Sequence, residues 1–185
     1  NRSGREQVLE SLQSFSVSGI YNPSLADGRV SDEGMRLTRY TSSWSRECRQ
    51  KTEEFCTLGL DMSWARHGVR SERFGQVGSM PNRIWYPFAA VEGGGCVWAA
   101  ELEAPYSWQM EVYKLHETCA LSGGLADYEF GHWFKKIANG ASFSTHKAFI
   151  WAGRGSVQDA CNALVRFQDN CLLASAALPE SEKDM

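Results

Sequence analysis

Residues 83–103 read RIWYPFAAVEGGGCVWAAELE, and this stretch decides the fold. Ile84, Tyr86, Phe88 and Ala90 recur at every second position of its first half. Cys96, Trp98, Ala100 and Leu102 do the same in its second half. Successive side chains of a strand point to opposite faces, so each run offers one apolar face to a core. Between them, Glu92-Gly93-Gly94-Gly95 supplies backbone that tolerates the positive φ of a tight turn. The spacing predicts a β-hairpin at the centre of an antiparallel sheet.

Working outward, the same alternation predicts strands at Met35–Ser42 and at Ser142–Trp151. Trp108–His116 fits either a helix face (Trp108, Val112, Leu115, Cys119) or a strand, and its Val, Tyr and Trp content favours the strand. Shorter strand patterns occupy Ser14–Ile20 and the triplet Leu60, Met62 and Trp64. Helical spacing predicts four helices. Residues 3–14 carry a Ser3/Glu6 capping box and a stripe of Val8, Leu9, Leu12 and Phe15. Ser45–Leu58 places Trp44, Cys48, Phe55 and Leu58 near one face, with Gly59 as the stop. Asp127–Ala138 places Phe130, Trp133, Phe134 and Ile137 on one face, with Lys135 and Lys136 at the negative end of the dipole. A fourth helix starts at a Ser156/Asp159 cap and runs to about Phe167 on a stripe of Val157, Ala160, Cys161 and Leu164. Ser122-Gly123-Gly124 is predicted as a turn, and residues 22–34 and 66–82 as loops. The sum is an α+β fold, an antiparallel β-sheet with helices packed on it, in a single globular domain over residues 1–185. Residues 179–185 read as a frayed, charged tail.

Composition narrows the function classes. The chain has 185 residues, 43% of them apolar and 12% aromatic, which supports a packed core rather than disorder. Nineteen basic and 22 acidic residues leave a net charge of −3, without the basic field of a nucleic-acid binder. No run reaches the roughly 18–20 apolar residues of a membrane helix, so no membrane span is expected. Asn1-Arg2-Ser3-Gly4 has no leader-peptide character and no initiator Met, which points to a trimmed or mature chain. Six cysteines (Cys48, Cys56, Cys96, Cys119, Cys161 and Cys171) without a C-x-x-C pair suggest three disulfides in a secreted, extracellular protein. Cys48 and Cys56 stand ~12 Å apart on a continuous helix, so each would pair elsewhere.

The long loop RHGVRSERFGQVGSMPN is the candidate binding surface, with Arg66, His67, Arg70, Arg73 and Phe74 as contacts and Trp85 beside them. A Trp on an open strand face stacks on a sugar or anchors a protein, so the expected partner is a protein or a glycan. The enzyme alternative is a hydrolase using the sheet carboxylates Glu101 and Glu103 with His116. A transferase variant of it places Arg39-Tyr40, Phe143-Ser144-Thr145-His146 and Glu180-Ser181-Glu182 in the order found in ADP-ribosyltransferase toxins, though the last pair lies in the polar tail. Gly94-Gly95-Cys96-Val97-Trp98 has the residue types of a thiol-protease nucleophile but opens a strand rather than a helix, so Cys96 reads as structural. Four scattered histidines without H-E-x-x-H give no metal site, and no phosphate-binding loop is present, so no cofactor is expected.

The segment Gly155–Cys171 (GSVQDACNALVRFQDNC), a capped helix with one Cys inside and one just after, resembles the helix segment of small secreted cysteine-rich fungal killer toxins and related plant-pathogen effectors. The resemblance covers ~17 residues, a small share of one domain. It implies a virulence or toxin-like protein that acts by binding a host or competitor partner. The expectation is therefore a secreted, disulfide-stabilised binding protein, with a secreted enzyme as the alternative.

Overall fold

The computed structural model describes residues 1–25, 27–60 and 70–173, and only the backbone path for residues 171–173. Two antiparallel sheets face each other across one core. The first has five strands in the order β11 (Lys147–Arg154), β7 (Cys96–Glu103), β6 (Trp85–Gly93), β3 (Arg36–Thr41) and β4 (Arg49–Glu54). The second has four, in the order β2 (Gln13–Ile20), β9 (Thr118–Leu125), β8 (Trp108–Leu115) and β5 (Ser71–Gln76). A small pair, β1 (Gln7–Leu9) with β10 (Lys135–Ile137), completes the strands. Among the described residues a single α-helix, α1 (Val157–Phe167), lies on the outer face of the first sheet and runs on through a wider π-helical stretch, Gln168–Leu173.

The central hairpin forms where its spacing predicts, but with Glu92 and Gly93 inside the strand and with Phe88 and Ala90 on the sheet face opposite to Ala100 and Leu102. Gly93 pairs with Cys96, so Gly94 and Gly95 alone make the turn, both with positive φ (59° and 73°). Both central residues at positive φ match the right-handed twist of the flanking strands. The hairpin is buried on both faces. Ala89, Val91, Ala100 and Leu102 join the inter-sheet core with Phe15, Met35, Leu37, Phe74, Trp108 and Met110. Phe88, Ala90, Val97 and Ala99 meet Val157, Ala160 and Leu164 of α1. The helix has its Ser156 cap and the reciprocal Asp159 capping box.

The α+β expectation is overturned: this is a β-rich sandwich, with one short helix among the described residues. Residues 3–14 do not coil, because Gln7–Leu9 pairs with β10, and Phe15 and Val17 pair with β9. The expected helix over Ser45–Leu58 gives way to a turn and β4. There Thr38 and Thr52 hydroxyls bond across strands at 2.7 Å, and Arg39 meets Glu53. β4 is an edge strand with the sequence RQKTEE, and such charge protects an unpaired edge from aggregation. The helix over Asp127–Ala138 is broken by left-handed backbone at Gly131 and His132 (φ 98° and 52°). The predicted loop 66–82 contains β5, and Ser122-Gly123-Gly124 is strand rather than turn. At Gly123 a Cβ would stand 2.8 Å from both Met110 Cγ and Phe15 Cε1, so close packing is what requires the glycine. The Leu60–Trp64 strand, apart from Leu60, lies outside the described residues.

Within this core sits a buried guanidinium. Arg39 is 2% exposed and reaches Glu53 of its own sheet and, at 2.7 Å, Glu72 of the opposite sheet. Its guanidinium lies 4.7 Å from the Trp85 ring and 5.0 Å from Phe74. Burial alone would raise the Glu53 carboxyl, but hydrogen bonds from Lys51 and Arg39 overcome it and hold the group below its usual range. A carboxyl lowered in the folded state stabilises it above the unfolded pKa, and that contribution fades as pH falls through the folded value. Arg39→Met should therefore cost about 3 kcal/mol in urea unfolding at pH 7. It should also flatten the loss of stability on acidification below about pH 4.5. Equal stability of the two proteins at pH 7 would refute the pairing.

Candidate functional site

A concave, mostly apolar feature lies on the outer face of the five-stranded sheet, where the end of α1 leaves strands uncovered. It is a pocket of ≈ 260 Å³ whose lining includes Tyr40, Tyr86, Phe88, Glu101, Cys161 and Gln168. Pro87, which has no N–H for the ladder, is part of that lining. The β3–β6 register slips between Arg39 and Thr41, opposite Trp85–Ala89, and this irregularity absorbs the proline. Tyr86 and Phe88 flank Pro87, and Phe88 pairs with Glu101 across the hairpin. Tyr40 packs on Phe88 with ring centroids 5.4 Å apart.

The pocket chemistry is aromatic with one acid–amide pair. Gln168 Nε2 donates to Glu101 Oε1 at 3.2 Å. Burial raises the Glu101 carboxyl, and the Gln168 bond opposes the rise. The Tyr40 hydroxyl lies 3.9 Å from Cys161 Sγ and is pushed up to about 12, first by burial and then by that thiol. Burial likewise raises the Cys161 thiol, so it is a poor nucleophile. Tyr86 is raised chiefly by a hydrogen bond with Cys48. Among the described residues no group of three or more His, Cys, Asp or Glu is placed to hold a metal ion.

The sequence-derived contacts do not form one surface. Arg66 and His67 lie outside the described residues. Arg70 donates to the Gly59 carbonyl at 3.1 Å. Arg73 is held by Glu129 at 2.8 Å, with Glu111 and Asp127 within 3.8 Å. Phe74 is core, and Trp85 is half-buried with its face against Arg39. Of the enzyme alternative, Glu101 is in the pocket, Glu103 is exposed and paired with Lys147 at 3.3 Å, and His116 sits in the β8–β9 turn of the other sheet. They are not brought together. Arg39 of the transferase reading is buried among its carboxylates, and His146 is buried with Nε2 3.1 Å from the Ser107 carbonyl. Glu180 and Glu182 lie outside the described residues.

The disulfide expectation is also corrected. Cys48, Cys56, Cys96, Cys119 and Cys161 are free thiols, and the Cys171 side chain lies outside the described residues. They stand on separate layers: Cys119 in the inter-sheet core, Cys161 on the outer helix, Cys96 beside the hairpin turn. Period-two spacing puts Tyr86 and Phe88 on one strand face, but Tyr40 joins them only through strand pairing and had no local signal.

No protein-family model matches the chain, and no curated protein matches it. Solved structures do. The α-galactosidase from Lactobacillus brevis matches with TM-score 0.66 and 15% identity over 91% of this chain and 20% of that one. The GH36 α-galactosidase AgaB from Geobacillus stearothermophilus matches with TM-score 0.60 and 15% identity over 85% of this chain and 19% of that one. A variant of the GH36 α-galactosidase AgaA from the same organism, in complex with stachyose, gives 0.59 and 14% over 85% and 19%. At these identities the likeness is one of fold. The chain spans about one fifth of the length of these enzymes.

Thiol chemistry tests the cysteine assignment. With a thiol reagent on the native protein, Cys48 and Cys56 should react within minutes, whereas Cys119, buried and pushed up to about 12, should wait for unfolding. Cys48 and Cys56 found unreactive, and released only by a reductant, would show that they are paired after all.

Proposed function

We propose that this chain is a non-catalytic, glycan-binding β-sandwich that serves a glycoside hydrolase of the α-galactosidase kind, with the pocket beneath α1 as its sugar site. The observation that carries the reading is the pocket itself: the aromatic side chains Tyr40, Tyr86 and Phe88 around a half-buried Glu101–Gln168 pair. Aromatic faces take the C–H face of a pyranose, and a carboxyl beside an amide takes its hydroxyls. Burial holds the half-buried Glu101 carboxyl above its usual range against the opposing Gln168 bond, and a perturbed acid lining a cleft is a candidate ligand group. The fold supports the class of partner, because three solved chains that share it are α-galactosidases about five times this length. Among the described residues Glu101 is the one carboxylate lining this pocket, without a second to act as its acid–base partner, and this supports binding over hydrolysis.

This reading keeps the binding role expected from the sequence and names a glycan as the partner. It no longer leans on paired cysteines. Galactose should bind with a Kd in the millimolar range, seen by NMR as shifts at Tyr40, Tyr86 and Glu101. Glu101→Gln should keep the fold and weaken binding about tenfold, while raising the melting temperature at pH 7 by about 1–3 °C. The sign follows from the raised carboxyl, whose folded form is penalised once pH exceeds its unfolded pKa. A galactose titration that leaves these residues unmoved would sink the proposal, and so would turnover of a nitrophenyl α-galactoside by the chain alone.

A further inference from the structure

The pocket is small, and the turn that supplies Cys48 to its wall carries a further residue that the pocket lining does not include. At ≈ 260 Å³ it falls below the ~300–1,000 Å³ of sites for drug-sized ligands, so it accommodates a single ring. The turn between β3 and β4 forms part of its wall through Cys48. That turn is pinned at its base, where Ser42 N–H donates to the Ile84 carbonyl at 2.8 Å. It is braced within by Ser45 N–H donating to Glu47 Oε1 at 3.0 Å. Cys48 and Ser42 both hydrogen-bond Tyr86, so the turn folds against an aromatic wall of the pocket. Four residues from Cys48 stands Trp44, 93% exposed, the most exposed of the large apolar side chains described.

Nothing in the core accounts for that indole. An exposed Trp leaves a large apolar face in water, and burying it against a ligand recovers the loss. The turn also holds two non-glycine residues at positive φ, Ser45 at 59° and Cys48 at 53°. Such backbone is costly and persists where a particular presentation is required. We propose that Trp44 is a second stacking platform, so that the site takes an oligosaccharide, with one ring in the pocket and the next on the indole. This rests on the pocket being the sugar site, as proposed above, and adds the ligand's length.

The test compares galactose with stachyose on the wild-type chain and on Trp44→Ala and Trp44→Phe variants. Trp44 makes no core contact, so both variants should fold, as checked by near-ultraviolet circular dichroism. Stachyose should bind wild type more tightly than galactose does and shift tryptophan fluorescence, a shift absent in both Trp44 variants. Trp44→Ala should weaken stachyose three- to tenfold, about the worth of one aromatic contact, and leave galactose unchanged; Trp44→Phe should restore most of the loss. If galactose binds wild type but stachyose binds no better, or Trp44→Ala weakens both sugars equally, Trp44 is not a platform and the pocket reading stands. If neither sugar binds wild type, both proposals fall together.

Discussion

Arg39 is the constraint on which the sandwich turns. A guanidinium cannot lose its charge at physiological pH, so placing it at 2% exposure obliges the fold to surround it with partners. Glu53 comes from the neighbouring strand, Glu72 from the facing sheet, and Trp85 and Phe74 stack against it. These groups satisfy the charge only if β4 and β5 lie at one register relative to β3. A slip of one residue would turn Arg39 to the outer face and Thr38 or Tyr40 inward. The cluster acts in the way one buried polar group sets register in a coiled coil, at some cost in stability. A second ion pair, Lys114 with Asp32, fastens β8 to the segment before β3 and is buried as deeply.

Because β6 and β7 are buried on both faces, the hairpin organises two layers at once. Its inner residues meet the second sheet, and its outer residues meet α1. The helix is shorter than the sheet face it covers. The uncovered remainder becomes the pocket, and the irregularity at Pro87 gives that remainder its aromatic walls. Architecture and site therefore share one origin: a hairpin with too much apolar surface for a single partner, and a proline that interrupts its regularity.

The candidate site shows how far residue identity goes without geometry. Arg73 and Phe74 are adjacent in sequence and suggest a loop surface, but β5 sends Phe74 into the core and leaves Arg73 among three carboxylates. Glu101 appears in the sequence as a candidate carboxylate, and it does line the pocket. Its companions there, Tyr40 and Gln168, are more than 60 residues away in each direction and had no local signal. Trp44 drew attention only as a member of a helical stripe that does not form.

The amino-acid sequence by itself determined the elements whose information is local. The hairpin follows from period-two apolarity and a Gly-Gly turn, and α1 follows from Ser156, Asp159 and their stripe. Strand β3 follows from alternation as well, whereas β8 fits both periods and is favoured only by its Val, Tyr and Trp content. What the tertiary structure alone decided were the segments of mixed pattern, residues 3–14, 45–58 and 127–138. In each, helical spacing was outweighed by hydrogen bonding to a distant strand or by left-handed backbone at a turn. Helical propensity differs by only a few tenths of a kcal/mol per residue among ordinary side chains. A sheet neighbour that pairs the backbone and buries the side chains is worth more, and no local window contains it. The same holds for the cysteines, since whether two thiols meet depends on layers that only the assembled sandwich defines.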